Sequence, residues 1–139
     1  VSTQSTGQIL KLKEMSKDQD KEEKDFIHNR VLYATKIKNQ ISAQLQINSI
    51  KGIVLLRQTS ITKEEFARLT LLNFIQCPKV KHIGEKAFEE CYFLKVVDSP
   101  SLQTVGEEAF SVCTSLSKIN LLKVVKLSTR SFSACCSLV

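Results

Sequence analysis

Ile83-Gly84-Glu85-Lys86-Ala87-Phe88, followed by Cys91 and Leu94, returns 22 residues later as Val105-Gly106-Glu107-Glu108-Ala109-Phe110 with Cys113 and Leu116. A third copy, Leu127-Ser128-Thr129-Arg130-Ser131-Phe132, is followed by Cys135 and Leu138 at the same offsets. One interval earlier, Ile61, Phe66, Leu69 and Leu72 occupy the same places, with Thr62 for the glycine and Leu69 for the thiol. A fixed period of this length without insertions marks a solenoid, in which each coil buries its apolar face against its neighbours. Stacks of this kind present extended surfaces for binding, which lowers the expectation of an enzyme.

Each unit also holds an alternating segment that reads as a strand. Leu72-Asn73-Phe74-Ile75-Gln76-Cys77, Leu94-Lys95-Val96-Val97-Asp98-Ser99, Leu116-Ser117-Lys118-Ile119-Asn120-Leu121 and Ile50-Lys51-Gly52-Ile53-Val54-Leu55 align with one another. Positions one, four and six are apolar or small in every case, the spacing of a leucine-rich repeat. A second inward set comes at Val80, Leu102 and Val124, then at Ile83, Val105 and Leu127. Residues 85–88 and 107–110 (Glu-Lys-Ala-Phe and Glu-Glu-Ala-Phe) are good helix formers and predict a short helical turn on the opposite side of the coil. Pro78 and Pro100 come just after the strand, where a missing N–H is harmless once ladder pairing has ended. A fifth, degenerate unit is expected before these four, with Ile47, Ile50, Ile53 and Leu55 in frame but Gln44 where phenylalanine is due.

These motifs resemble a particular leucine-rich-repeat subclass, the BspA-like or Treponema pallidum-type family. The units beginning at Ile83 and Val105 match its pattern nearly in full; the unit at Leu127 departs from it at Ser128 and Ser131. The resemblance covers about residues 50–139, with repeat phases at Ile61, Ile83, Val105 and Leu127. It implies a right-handed α/β solenoid with a parallel sheet on one face and short helical turns on the other. It also implies membership of a group with surface-associated members that act in adhesion and host contact, although fold carries over more safely than function.

The first 49 residues share none of the repeat. Residues 1–25 are polar and include the charged run at 16–24, expected to be solvated and mobile. Residues 26–49 are expected to cap the N-terminal end of the apolar stack, with a helix over 21–39 and Phe26, Tyr33, Ile37 and Ile41 on roughly one face. The competing pattern is a strand through Ile41, Ala43, Leu45 and Ile47. At the other end the chain stops at Ser137-Leu138-Val139, where a further strand is due, so continuation of the stack is expected.

The net charge is +6 over 139 residues, but basic and acidic side chains are interspersed. No lysine- or arginine-rich run of the kind that tracks nucleic acid occurs, so nucleic acid is not an expected partner. No stretch of about 18 apolar residues is present, so no membrane-spanning helix is expected. The start carries no hydrophobic leader core, although an upstream one is compatible with a chain beginning at Val1. Three of the five cysteines, Cys91, Cys113 and Cys135, share one repeat position and should form a buried column of reduced thiols. Paired ligand spacings for a structural metal are missing, so neither a metal nor another cofactor is expected. The thiols and the lack of a visible leader lean toward the cytoplasm, whereas the family resemblance allows the cell surface.

No phosphate loop, nucleophile elbow or metalloprotease motif is present, and buried thiols make poor nucleophiles. The expected function is therefore non-enzymatic protein binding through residues that the repeat leaves outward on the sheet. Those are Phe74 and Gln76, Val96 and Asp98, and Lys118 and Asn120, with Gly52 and Val54 at the same positions one coil earlier. Phe74 beside Val96 on an outward face is the feature to test, since contiguous exposed apolar groups mark binding sites. The bland account of the same pair is that they pack on each other or lie under the N-terminal segment. The alternative function is that of a structural or docking subunit of a large intracellular assembly, engaged through the open ends of the stack.

Overall fold

The computed structural model describes residues 26–37, 45 and 49–138. Among these described residues, ten short strands build two sheets around a common core. β1 (Phe26–His28), β2 (Val31–Ala34), β3 (Gly52–Leu55), β5 (Phe74–Gln76), β7 (Val96–Asp98) and β9 (Lys118–Ile119) form a six-stranded sheet in that order. The second sheet has four strands, β4 (Ser60–Ile61), β6 (His82–Ile83), β8 (Thr104–Val105) and β10 (Lys126–Leu127). All pairings are parallel except β1 with β2.

The register keeps to the repeat. Ile53, Ile75, Val97 and Ile119 stand side by side in the first sheet, and Ile61, Ile83, Val105 and Leu127 lie on successive strands of the second. Between the sheets runs the aromatic spine. Phe66, Phe88, Phe110 and Phe132 approach in sequence with ring centroids 5.6, 5.2 and 5.3 Å apart, the last two pairs stacked with nearly parallel planes. The first three rings are fully buried. A 22-residue coil therefore returns each ring to the same place one strand spacing further on, and the offset-stacked geometry favoured by aromatic quadrupoles results. The solenoid expected from the sequence is thus the observed architecture.

The expected helical turns are not. Residues 85–90 and 107–112 form turns, and the α/β label does not hold. Two residues per coil take left-handed backbone angles four positions apart: Glu64 and Arg68, Lys86 and Glu90, Glu108 and Val112, Arg130 and Ala134. Each breaks helical geometry at a cost of roughly 1–2 kcal/mol. A second hydrogen-bonded ladder offsets this. Lys86, Phe88 and Glu90 donate their N–H groups to the carbonyls of Glu107, Ala109 and Ser111 in the next coil, at 2.8–2.9 Å. The alternate residues, Ala87, Glu89 and Cys91, close local turns onto Gly84, Lys86 and Phe88. A helix would spend all these donors within its own segment and leave the coils unjoined on this side.

The close approach also explains the repeat glycines. A Cβ on Gly106 would lie 2.7 Å from the backbone nitrogen of Glu85, and one on Gly84 would lie 2.9 Å from that of Lys63. The inter-coil bonds from Gly84 and Gly106 to Ile61 and Ile83 measure 2.7 and 2.8 Å; the one from Ser128 to Val105 is 3.0 Å. The departure at Ser131 is accommodated too, because its hydroxyl donates to the carbonyl of Ser128.

The N-terminal cap is likewise a hairpin where a helix was expected. Asn29 and Arg30 both have positive φ, the two-residue turn that matches strand twist, and Phe26 stacks on Tyr33 across it at 4.9 Å. Phe, Ile, Val and Tyr favour strands, and the parallel sheet offers β2 an edge to pair with. That edge outweighed the helical spacing of Phe26, Tyr33 and Ile37. Leu45 is the one described residue with helical backbone. Residues 1–25 and most of the stretch 41–47 lie outside the described residues, including Ile41, Ala43, Gln44 and Ile47.

Candidate protein-binding face

Strand register sets two columns on the side of the six-stranded sheet away from Ile53, Ile75 and Val97, but their N-terminal members Val31, Gly52 and Val54 are buried, so the outward placing expected for Gly52 and Val54 does not hold. One runs Val31, Gly52, Phe74, Val96, Lys118; the other runs Tyr33, Val54, Gln76, Asp98. Gln76, Asp98 and Lys118 are exposed, and Phe74 and Val96 are half-buried. Asn120 comes just after β9, is exposed, and accepts a hydrogen bond from the Leu122 N–H through Oδ1 at 2.9 Å. Phe74, Gln76, Val96, Asp98 and Lys118 thus alternate with the inward residues of their strands, apolar at the β5–β7 centre and polar toward β9, while Asn120 lies beyond the paired register.

Phe74 does not stand free of the sheet. A Cβ on Gly52 would overlap the tip of the Phe74 ring, so the ring lies across the neighbouring strand where Gly52 provides no side chain. To that extent the ring packs on the sheet itself, as the bland account of this residue holds. One side of it remains at the surface and walls an open groove of about 380 Å³.

The other groove residues lie just before the strands, outside the set chosen from the sequence. Leu71 and Phe93 stand one period apart immediately before the repeat leucines, and both are exposed, Phe93 to 54%. Arg30, Lys51 and Lys95 supply positive charge. Their backbones form one column: Lys51 N–H donates to Arg30, Asn73 to Lys51 and Lys95 to Asn73, at 2.8, 2.7 and 2.7 Å. Coils stacked in this way lie about 5 Å apart. The Arg30 side chain is steadied by donation from Nε to the Ser49 carbonyl at 2.8 Å. The sequence did contain a signal for these positions. Leu71 and Tyr92-Phe93 stand where the next unit has Thr114-Ser115, so apolar residues occupy a place the repeat does not require to be apolar.

The thiols of the repeat column lie elsewhere and point inward, whereas Cys136 is exposed. Cys91 and Cys113 are fully buried and donate to the carbonyls of Phe66 and Phe88 at 3.2 and 3.1 Å; half-buried Cys135 donates to Phe110 at 3.1 Å. Burial pushes the Cys91 and Cys77 thiols up to about 12 and raises those of Cys113 and Cys135 as well. All five cysteines are free. No cluster of three or more metal-ligating side chains occurs among the described residues, and none of their helices is long and apolar enough to cross a membrane.

No curated protein matches the chain. Among solved structures, the crystal structure of a T. pallidum leucine-rich-repeat protein is similar over 83% of this chain and 65% of that one, at 16% identity and a TM-score of 0.47. The chain therefore spans about 65% of the length of that protein. The family model for the BspA type leucine-rich-repeat region, in six copies, matches residues 35–139. With that match over most of its length, and with the recurring phenylalanines, Gly84, Gly106 and the cysteine column accounted for by stacking, the chain belongs to the BspA-type leucine-rich-repeat family.

Proposed function

We propose that this chain is a non-enzymatic module that binds a protein partner through the outward face of its six-stranded sheet. The observation that carries this reading is the alignment of Phe74, Val96 and Lys118 in one column beside Gln76 and Asp98 in the next, on strands locked by backbone pairing. A face held this rigidly loses little conformational entropy on binding. The family supports the coarse statement, since leucine-rich repeats are protein-interaction folds; a role in adhesion is a finer reading that rests on family alone.

Affinity capture with mass spectrometry, using wild type and an Asp98→Arg/Lys118→Glu variant, tests it. A partner retained by wild type and by a variant of the opposite edge, Arg68→Ser, but lost from the sheet-face variant is expected. Partners indifferent to the sheet-face change would overturn the reading.

A second reading, a docking subunit of a larger assembly, has its own support. Leu122 and Val125 are 92% and 84% exposed. Pro100 is exposed at the equivalent place one coil before Leu122, whereas Gln103, one coil before Val125, is half-buried, so Val125 stands more open than its repeat position requires. Leu122→Ser/Val125→Ser would then remove assembly partners that the sheet-face variant keeps.

A further inference from the structure

The groove before the strands combines three features that select one kind of occupant. Leu71, Phe74 and Phe93 give it an apolar floor and wall. Arg30, Lys51 and Lys95 give it charge of one sign, and none of its lining residues is a carboxylate. Salt bridges do occur on this molecule, but on the turn side, where Lys63 meets Glu85 and Arg130 meets Glu107 and Glu108 at 3.6–3.9 Å. Among the described residues no carboxylate lies within ion-pair distance of Lys51 or Lys95. Among the described residues, Lys63 and Arg130 are thus paired where coils stack, whereas Lys51 and Lys95 have no such partner where the apolar side chains come to the surface.

The geometry points to an acidic peptide segment with an aromatic or aliphatic anchor as the ligand of this groove. Its anchor side chain fits between Phe74 and Phe93 over Leu71, and its flanking carboxylates meet Lys51 and Lys95 on either side of Asn73. At about 380 Å³ the volume is near the lower end of the roughly 300–1,000 Å³ of ligand pockets, suited to one or two side chains. Isolated surface cations are well solvated, but beside apolar walls a bound anion is partly desolvated and each charge acts more strongly. Charge complementarity also discriminates, because a basic segment with the same anchor meets like charge. This assignment rests on the protein-binding reading above and names the partner's chemistry.

The test uses ¹⁵N-labelled protein titrated with three capped octapeptides. One alternates aspartate with leucine and phenylalanine, the second replaces aspartate by lysine, and the third keeps aspartate but replaces the apolar residues by serine. Only the first should bind, shifting the amides of Lys51, Leu71, Phe93 and Lys95, and its affinity should fall as salt is raised. Lys51→Glu/Lys95→Glu should weaken it by about tenfold or more with unchanged thermal melting, and Phe93→Ser should abolish the shifts. Equal binding of the lysine peptide, shifts confined to Gln76, Asp98 and Lys118, or no binding of the acidic apolar peptide at millimolar concentration would each overturn the groove assignment. Partner capture that still depends on Asp98 and Lys118 after such a failure would leave the protein-binding reading intact, whereas loss of both would remove the two together.

Discussion

At the residue scale, the repeat explains which side chains are fixed by packing and shows where packing is imperfect. Ser99 comes just after β7, where the neighbouring coils have Cys77 and Leu121, and it is fully buried with a hydroxyl that finds no partner among the described residues. An orphaned buried polar group costs about 1–3 kcal/mol. Ser99→Ala should therefore raise the urea midpoint, with a gain of about 1 kcal/mol at unchanged slope. The thiols lead to a pH prediction. Cys77 and Cys91 ionise at about 12 in the folded chain against 9.0 when free, so the folded state holds these protons more tightly. Their contribution is fully present below about pH 9 and is lost as pH rises toward 12, each ionising thiol removing up to about 1.4 kcal/mol per pH unit. Melting temperature should decline across that window. Iodoacetamide at about pH 8, just below the ordinary thiol range, should label exposed Cys136 in the native chain and reach Cys77, Cys91 and Cys113 only on unfolding. Labelling of Cys91 at the rate of Cys136 would contradict a buried column.

At the element scale, the deciding features are hydrogen bonds between coils rather than propensities within them. The Glu-Lys-Ala-Phe segment has helical composition, and the first strand pair has helical spacing, yet neither is helical. In both places the alternative satisfied donors and acceptors that a local helix would have left open on the neighbouring coil or sheet edge. None of this is visible in a window of sequence, because the partner backbone lies about one period away. The glycines were visible as motif members, but their reason was not: Gly106 makes room for the backbone at Gly84 and Glu85. Gly106→Ala should cost about 1–3 kcal/mol, measured by chemical denaturation, with the loss arising from a spread between two coils. The same change at Ser128, Ser128→Ala, should be nearly silent, since a Cβ is already accommodated there. The hairpin has a legible signal in retrospect, a two-residue Asn29-Arg30 turn between Phe26-Ile27-His28 and Val31-Leu32-Tyr33.

At the scale of the whole molecule, stability should obey the one-dimensional logic of a stack, in which each coil is held by the one before and the one after. Phe110 has a ring on both sides and is fully buried; Phe132 has a described neighbour only at Phe110 and is half-buried. Phe110→Ala should cost about 3–5 kcal/mol, and Phe132→Ala less than half of that, by urea unfolding monitored by circular dichroism. Equal losses would argue against stacking as the source of cooperativity. The sequence by itself determined the period, the inward columns, the aromatic spine and the thiol ladder, because side-chain hydrophobicity at a fixed interval is a local, countable property. It also marked strand positions, from Phe74 to Lys118, that parallel register sets side by side. Only the tertiary structure decided that the turn segments form a ladder in place of a helix, that Phe74 lies down over Gly52, and that Arg30, Lys51 and Lys95 meet Leu71 and Phe93 at one groove. Those outcomes depend on which backbone groups and side chains face each other across coils, and that pairing exists only once the chain has closed on itself.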